Sequence, residues 1–177
     1  MYELFILSEL FEEPSDGYKL RSILQKIVGN ERKISFGVIY PQLERMENKG
    51  FIDVELVNTD SKRPKKVNHI TELGKARFTE LMGASVPLNQ NAQLTYEIKI
   101  GSFHTISSEL QLQVMEDYMQ YLNNKIQINQ DNIAEIKQKP TMSIGDKSDT
   151  VEIIELRQVQ NQAALKWAQQ KINQMRW

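Results

Sequence analysis

The chain has 177 residues, 40% of them hydrophobic and 25% charged, with a formal net charge of −1. That is enough for one compact domain or a small domain with an appendage, and it gives no global basic field to draw nucleic acid. No run of about 18 apolar residues is present to span a bilayer, no basic-then-apolar start suggests a secretory signal, and with no cysteines there are neither disulfides nor thiolate metal sites. A cytoplasmic protein is expected.

Residues 3–11, with Leu4, Phe5, Ile6, Leu7, Leu10 and Phe11, read as a mostly buried first helix. Glu12 to Gly17 ends it, with Pro14 as punctuation, and Ser15 or Asp16 can cap a second helix. In that helix Leu20, Ile23, Leu24 and Ile27 form an amphipathic stripe. Ser35 to Gly50 is the third helix. Ser35 is suited to its N-cap, Gly50 to a left-handed exit, and Val38, Ile39, Leu43 and Met46 to its inner face. Pro41 lies inside it. Either two short helices meet there or one bent helix passes through, and the helical pattern on both sides favours the bent helix. Phe51 to Val57 alternates like a half-buried strand. Asn58 to Ser61 is a turn cluster, Lys62-Arg63-Pro64-Lys65-Lys66 is a basic tip, and Val67 to Ile70 returns as a strand. Thr71 can cap a fourth helix holding Leu73, Ala76, Phe78, Leu81 and Met82.

Three helices followed by a two-stranded hairpin make a winged helix-turn-helix, whose third helix enters the major groove while the hairpin touches the backbone or minor groove. Residues 83–93 read as a linker. A helix then begins near Leu94, and residues 107–139 form a long helix. Its Leu112, Met115, Met119, Leu122, Ile126, Asn129, Ile133 and Ile136 recur in steps of three and four, the period of a coiled-coil seam with one asparagine in it. The seam can close between two chains or within one. Pro140 to Ser148 breaks the helix, and Asp149 with Glu152 resembles a capping box for a last helix from about Thr150 to Met175. Ile154, Leu165, Ala168, Ile172 and Met175 lie along one side of that helix, and Leu156, Val159, Ala163 and Trp167 along another. Two apolar sides require two neighbours, which implies a homodimer. The expected class is mainly α (α+β): a winged helix-turn-helix domain at 1–82, a linker at 83–93, and a long-helix dimerisation domain at 94–177 that also holds any effector site.

The motifs Ile39-Tyr40-Pro41-Gln42-Leu43, Glu47-Asn48-Lys49-Gly50-Phe51-Ile52, Arg63-Pro64-Lys65-Lys66 and Ile70-Thr71-Glu72-Leu73-Gly74 resemble the PadR family of bacterial transcriptional regulators. The Tyr40-Pro41 pair is the most specific of these. The resemblance covers residues 2–82, and more loosely Tyr96 to Lys99, the helix from Ser107 and Trp167, which look like the long C-terminal domain of the first PadR subfamily. It implies a homodimeric, nucleoid-associated repressor on a pseudo-palindromic operator, with C-terminal helices exchanging contacts across the dimer. Some members are released by a phenolic acid and others by drugs. Asn68 stands where the family often carries an aromatic residue.

The DNA-contact candidates follow from these elements. They are Ser35, Gly37, Tyr40 and Arg45 on the third helix, Lys62, Arg63, Lys65 and Lys66 on the wing, and Tyr18 and Lys19 at the start of the second helix. For each, the plainer reading is a packed or solvated surface side chain. Tyr96, His104, Tyr118 and Tyr121 are candidates to line a site for a small aromatic effector, or else ordinary interface packing. Leu112, Met115, Met119, Leu122, Ile126, Asn129, Ile133, Leu165, Trp167 and Ile172 are the dimerisation candidates. No catalytic grouping, glycine-rich phosphate loop or histidine metal site is visible, so neither an enzyme nor a cofactor is expected. The alternative to a DNA-binding regulator is a winged-helix module that binds protein.

Overall fold

The structure, a computed structural model, describes residues 1–29, 33–58 and 64–176. Its elements run α1 (Tyr2–Glu12), α2 (Gly17–Val28), α3 (Phe36–Asn48), β1 (Ile52–Val57), β2 (Lys65–Ile70), α4 (Glu72–Gly83), α5 (Ala92–Gly101), a 3-10 turn (Phe103–Thr105), α6 (Ser108–Gln138) and α7 (Ile144–Met175). By contacts the chain divides into two units, 1–110 and 111–177. No helix among the described residues is long and apolar enough to cross a membrane.

In the first unit α1 is nearly all core. Leu4, Phe5, Ile6, Leu7 and Leu10 are buried among Leu20 and Leu24 of α2, Ile39, Leu43 and Met46 of α3, Ile52 of β1, and Phe78 and Met82 of α4. Each such side chain contributes about 1.5–3 kcal/mol by leaving water. The ends of these helices are set by their own residues. Asp16 caps α2 by accepting from Lys19 N at 2.8 Å, and Thr71 caps α4 by accepting from Gly74 N at 3.0 Å. Gly74 lies so close to the chain that an added Cβ would stand 2.1 Å from the Phe51 carbonyl oxygen. The two strands pair antiparallel, with Ile52 opposite Ile70 and Val57 opposite Lys65.

Three expectations shift. Lys65 and Lys66 lie in β2, paired with Val57 and Leu56, rather than in a turn. The stretch 83–93 does not separate the units, since α5 belongs with the first. Ile98 joins the core, the Ser8 and Ser102 hydroxyls meet at 2.5 Å, and buried Lys99 donates to the Ala84 carbonyl at 2.5 Å. Finally, α7 starts at Ile144 and not near Thr150. Ser143 provides an earlier cap, accepting from Asp146 N at 3.1 Å, and Asp149 falls inside the helix.

In the second unit α6 and α7 form an antiparallel hairpin. Near its turn Lys147 Nζ donates to the Lys137 carbonyl at 3.1 Å, and at the far end Arg176 pairs with Glu116 at 2.8 Å. The α6 seam is inward along its whole length: Met115 and Leu122 are buried, and Leu112, Met119, Ile126, Asn129 and Ile133 are half-buried. On α7, Ile154, Asn161, Ala168 and Ile172 are buried and Leu165 is half-buried. Within the single chain the seam is thus partly covered, most of it half-buried. The Asn129 side-chain nitrogen is buried with no hydrogen-bond partner among the described residues. Leu156, Val159, Ala163 and Trp167, the second side of α7, are exposed.

Candidate nucleic-acid interface

Helix α3 presents one buried face and one open face. Ile39, Leu43 and Met46 anchor it, while Ser35, Gly37, Tyr40 and Arg45 are exposed. Ser35 occupies the N-cap position, but its side chain makes no capping bond, so its hydroxyl is not committed to the helix end. The helix is continuous through Pro41. The bond that proline cannot donate belongs to the carbonyl of Gly37, which is exposed and within reach of water. The C-terminus closes as a Schellman motif: Phe51 N donates to Met46 O and Gly50 N to Glu47 O, both at 2.9 Å, with Gly50 at φ 70°. That closure aims the chain from α3 directly into β1.

The wing is tied back to the helices. Ser15 and Asn68 exchange backbone hydrogen bonds at 3.1 and 2.9 Å, and the Asn68 amide donates to the Ser15 carbonyl at 2.7 Å. Both residues are buried. Asn68 therefore ties the wing to the start of α2 through hydrogen bonds. Lys65 pairs with Asp16 at 2.7 Å. Burial pushes the Asp16 carboxyl up, but the hydrogen bonds from Lys65 and from the Lys19 backbone outweigh this and hold it below the ordinary aspartate range. Lys19 itself pairs with Glu13 at 2.5 Å. Lys66 is exposed on β2. Lys62 and Arg63 lie outside the described residues.

Between α2, α3 and the wing lies a cleft of about 920 Å³. Lys65 and Lys66 stand on its wing side, and Asp16, Glu44 and Glu47 also line it. Tyr18 and Tyr40 are exposed at its rim, 65% and 49%. Gly17 lets the helices meet here, since a Cβ at that position would stand 2.8 Å from Tyr40 Cε1. Two participants were not foreseen, Phe36 and Arg21. Phe36 follows the stripe of Ile39, Leu43 and Met46, but one turn nearer the helix start, and it is 44% exposed. Its position just after the N-cap was the available signal. The ring stacks on Tyr18 at 6.3 Å, leans on Tyr40 at 5.8 Å, and carries the Arg21 guanidinium 4.4 Å from its centroid.

The effector candidates do not line this cleft. Tyr96 is buried and His104 exposed, bonded to the Glu12 carboxylate; both belong to the first unit. Tyr118 and Tyr121 are buried residues of the second unit, their rings stacked at 6.2 Å, with Lys125 Nζ 5.4 Å from the Tyr121 centroid.

Comparison with curated proteins gives no match. Among solved structures, the chain is similar to Bacillus subtilis PadR in complex with operator DNA, at 16% identity over 98% of each chain, with a TM-score of 0.46. It is similar to smu.1604c from Streptococcus mutans UA159 at 22% identity over 97% of this chain and 98% of that one, TM-score 0.44. It is also similar to the putative transcriptional regulator TA0346 from Thermoplasma acidophilum at 26% identity, over 60% of this chain and 91% of that one, TM-score 0.41. Residues 6–80, from α1 through the wing into α4, match the model of the transcriptional regulator PadR-like family.

Proposed function

We propose that this chain is a dimeric, sequence-specific DNA-binding regulator, a repressor in its simplest form, whose winged domains read a pseudo-palindromic operator. The observation that carries this reading is the joint exposure of one face of α3 and of the wing cations beside it. Ser35, Gly37, Tyr40 and Arg45 form that face, and Lys65 and Lys66 stand across the cleft. Helix α3 supplies contacts to base edges, and the wing, with Lys62 and Arg63 at its tip, supplies contacts to phosphate. Tyr18 and Lys19 add backbone contacts at the start of α2.

Dimerisation runs through the outward side of α7, where Leu156, Val159, Ala163 and Trp167 present an apolar strip that the single chain leaves uncovered. The α6 seam and its partners Leu165 and Ile172 hold the hairpin that carries this strip. The dimer places two α3 helices about one helical turn apart, ~34–36 Å. A small aromatic effector, a phenolic acid or a drug-like cation, releases the operator by favouring a dimer in which that spacing is lost. The candidates for its contacts are Tyr96 and His104 within the first unit or, separately, Tyr118 and Tyr121 within the second.

One observation favours the alternative, a winged module that binds protein: Asp16, Glu44 and Glu47 bring negative charge into the cleft beside α3. Salt separates the two readings. A duplex from the region upstream of the chain's own coding sequence is titrated at several salt concentrations. Neutralising several phosphates makes the affinity fall steeply and linearly on logarithmic axes. No binding at any salt removes the regulator reading. Thermal melts with aromatic acids and cationic drugs test the effector, which raises the melting temperature if it binds the folded dimer.

A further inference from the structure

Helix α3 begins with an exposed apolar ring that the contacts described so far leave without a task. Phe36 occupies the first helical position after the Ser35 N-cap. Its ring is fixed on three sides. Tyr18 stacks on it at 6.3 Å and 25°, Tyr40 touches it at 5.8 Å and 33°, and Arg21 lies over it at 4.4 Å while its Nε donates to the Ile34 carbonyl at 2.8 Å. The result is a rigid aromatic shelf in which Tyr18, Phe36 and Tyr40 all remain exposed. A cation lies on it, Arg21, and Lys33, three residues earlier in the chain, is exposed. An apolar ring with a cation on it fits an apolar group set between anions. In duplex DNA that group is the thymine methyl, the one hydrocarbon on the floor of the major groove, with phosphates on either side. The first turn of the third helix is also the part of a winged helix-turn-helix that meets base edges.

On this basis, and resting on the DNA-binding reading above, we propose that Phe36 is a specificity-determining residue that packs on the 5-methyl group of one thymine in each operator half-site. Tyr18, Tyr40 and Arg21 are positioning residues that hold its ring.

The test removes only the methyl group. The full chain is used to select a duplex from a random pool, and each thymine of that duplex is then replaced singly by deoxyuridine. At one thymine per half-site the Kd rises about fourfold, the worth of one buried methyl group. With Phe36→Ala the same replacement changes nothing, and with Phe36→Leu, which keeps an apolar contact, part of the penalty returns. The deoxyuridine series on the unaltered chain does not depend on how any variant folds. Specific binding with no methyl-sensitive thymine overturns the assignment while leaving the DNA-binding reading intact. A full deoxyuridine penalty retained in Phe36→Ala overturns it as well. Failure to bind any duplex, specific or random, at low salt overturns both.

Discussion

The two units of this chain dispose of their apolar residues in opposite ways. In the first, the large aliphatic and aromatic side chains of α1 to α4 converge on one another, and its exposed aromatics gather at the α2–α3 rim. In the second, a hairpin of two long helices buries one stripe from each and leaves a second apolar stripe of α7 open. A helix of two faces packed on a single neighbour can satisfy only one of them. In the first unit the exposed apolar residues outside the aromatic rim, Ile27, Leu56, Leu73 and Leu88, fall on separate segments, whereas in the second Leu156, Val159 and Trp167 lie along one side of α7. The same contrast holds for polar groups. Buried Asn68 in the first unit is hydrogen-bonded to Ser15, while the Asn129 side-chain nitrogen in the hairpin has no partner among the described residues.

This contrast can be broken at its strongest point by Ile39→Ala, which empties a fully buried site in the first unit. It should cost about 2–5 kcal/mol in a denaturant melt. A loss below about 1 kcal/mol would show that this core is loosely packed. Next in size is the double variant Leu156→Glu/Val159→Glu. Both side chains are exposed, so the isolated hairpin should stay helical, changing by no more than about 0.5 kcal/mol per site by circular dichroism melting. In sedimentation velocity, however, the chain should become monomeric, and operator affinity should fall at least tenfold. A dimer that survives both glutamates would place the interface elsewhere.

The third test compares the polar groups. Asn129→Leu removes an unpartnered buried donor and should stabilise the hairpin by about 1–3 kcal/mol, the desolvation cost of such a group. Destabilisation would show that a partner chain supplies the missing acceptor. The smallest effects concern the wing. Lys65→Ala/Lys66→Ala should reduce the steepness of the salt dependence by about one phosphate contact, that of Lys66, near 0.9 in slope, without unfolding the domain, since Asp16 holds Lys65. Asp16→Asn should shift it the opposite way by about 0.9, because asparagine keeps the α2 cap while releasing Lys65 from its internal ion pair. An Asp16→Asn slope equal to that of the unaltered chain would mean that Lys65 does not reach phosphate. The carboxyl of Asp16 is held low when folded, so its contribution to stability is complete above its unfolded pKa. That contribution fades as pH falls through the still lower folded value.

The order of helices and strands was legible in the sequence because each boundary carries its own chemistry. Asp16 and Thr71 cap, Gly50 exits left-handed, and the apolar steps along α6 mark one continuous helix. Local rules misplaced the start of α7, since the Asp149–Glu152 spacing points to a cap there and only the formed helix shows that Ser143 caps it earlier. Of the candidate interface, the open face of α3 and the wing cations could be read from spacing and charge. Phe36 was missed, since periodicity assigns it to the buried stripe and only its place just after the N-cap sets it apart. Whether a position on that stripe meets the core depends on how far the helix projects beyond its neighbours.

Composition, caps and apolar periods thus determined the elements, the winged order of the first region and the long helices of the second, because these depend on interactions between residues near in sequence. Only the tertiary structure decided which faces are spent within the chain. It joined α5 to the first unit, bonded Asn68 to Ser15, partly covered the α6 seam and left one stripe of α7 exposed. Those outcomes depend on which surfaces meet across long separations in sequence. A periodic pattern records that a face must be buried, but not against what.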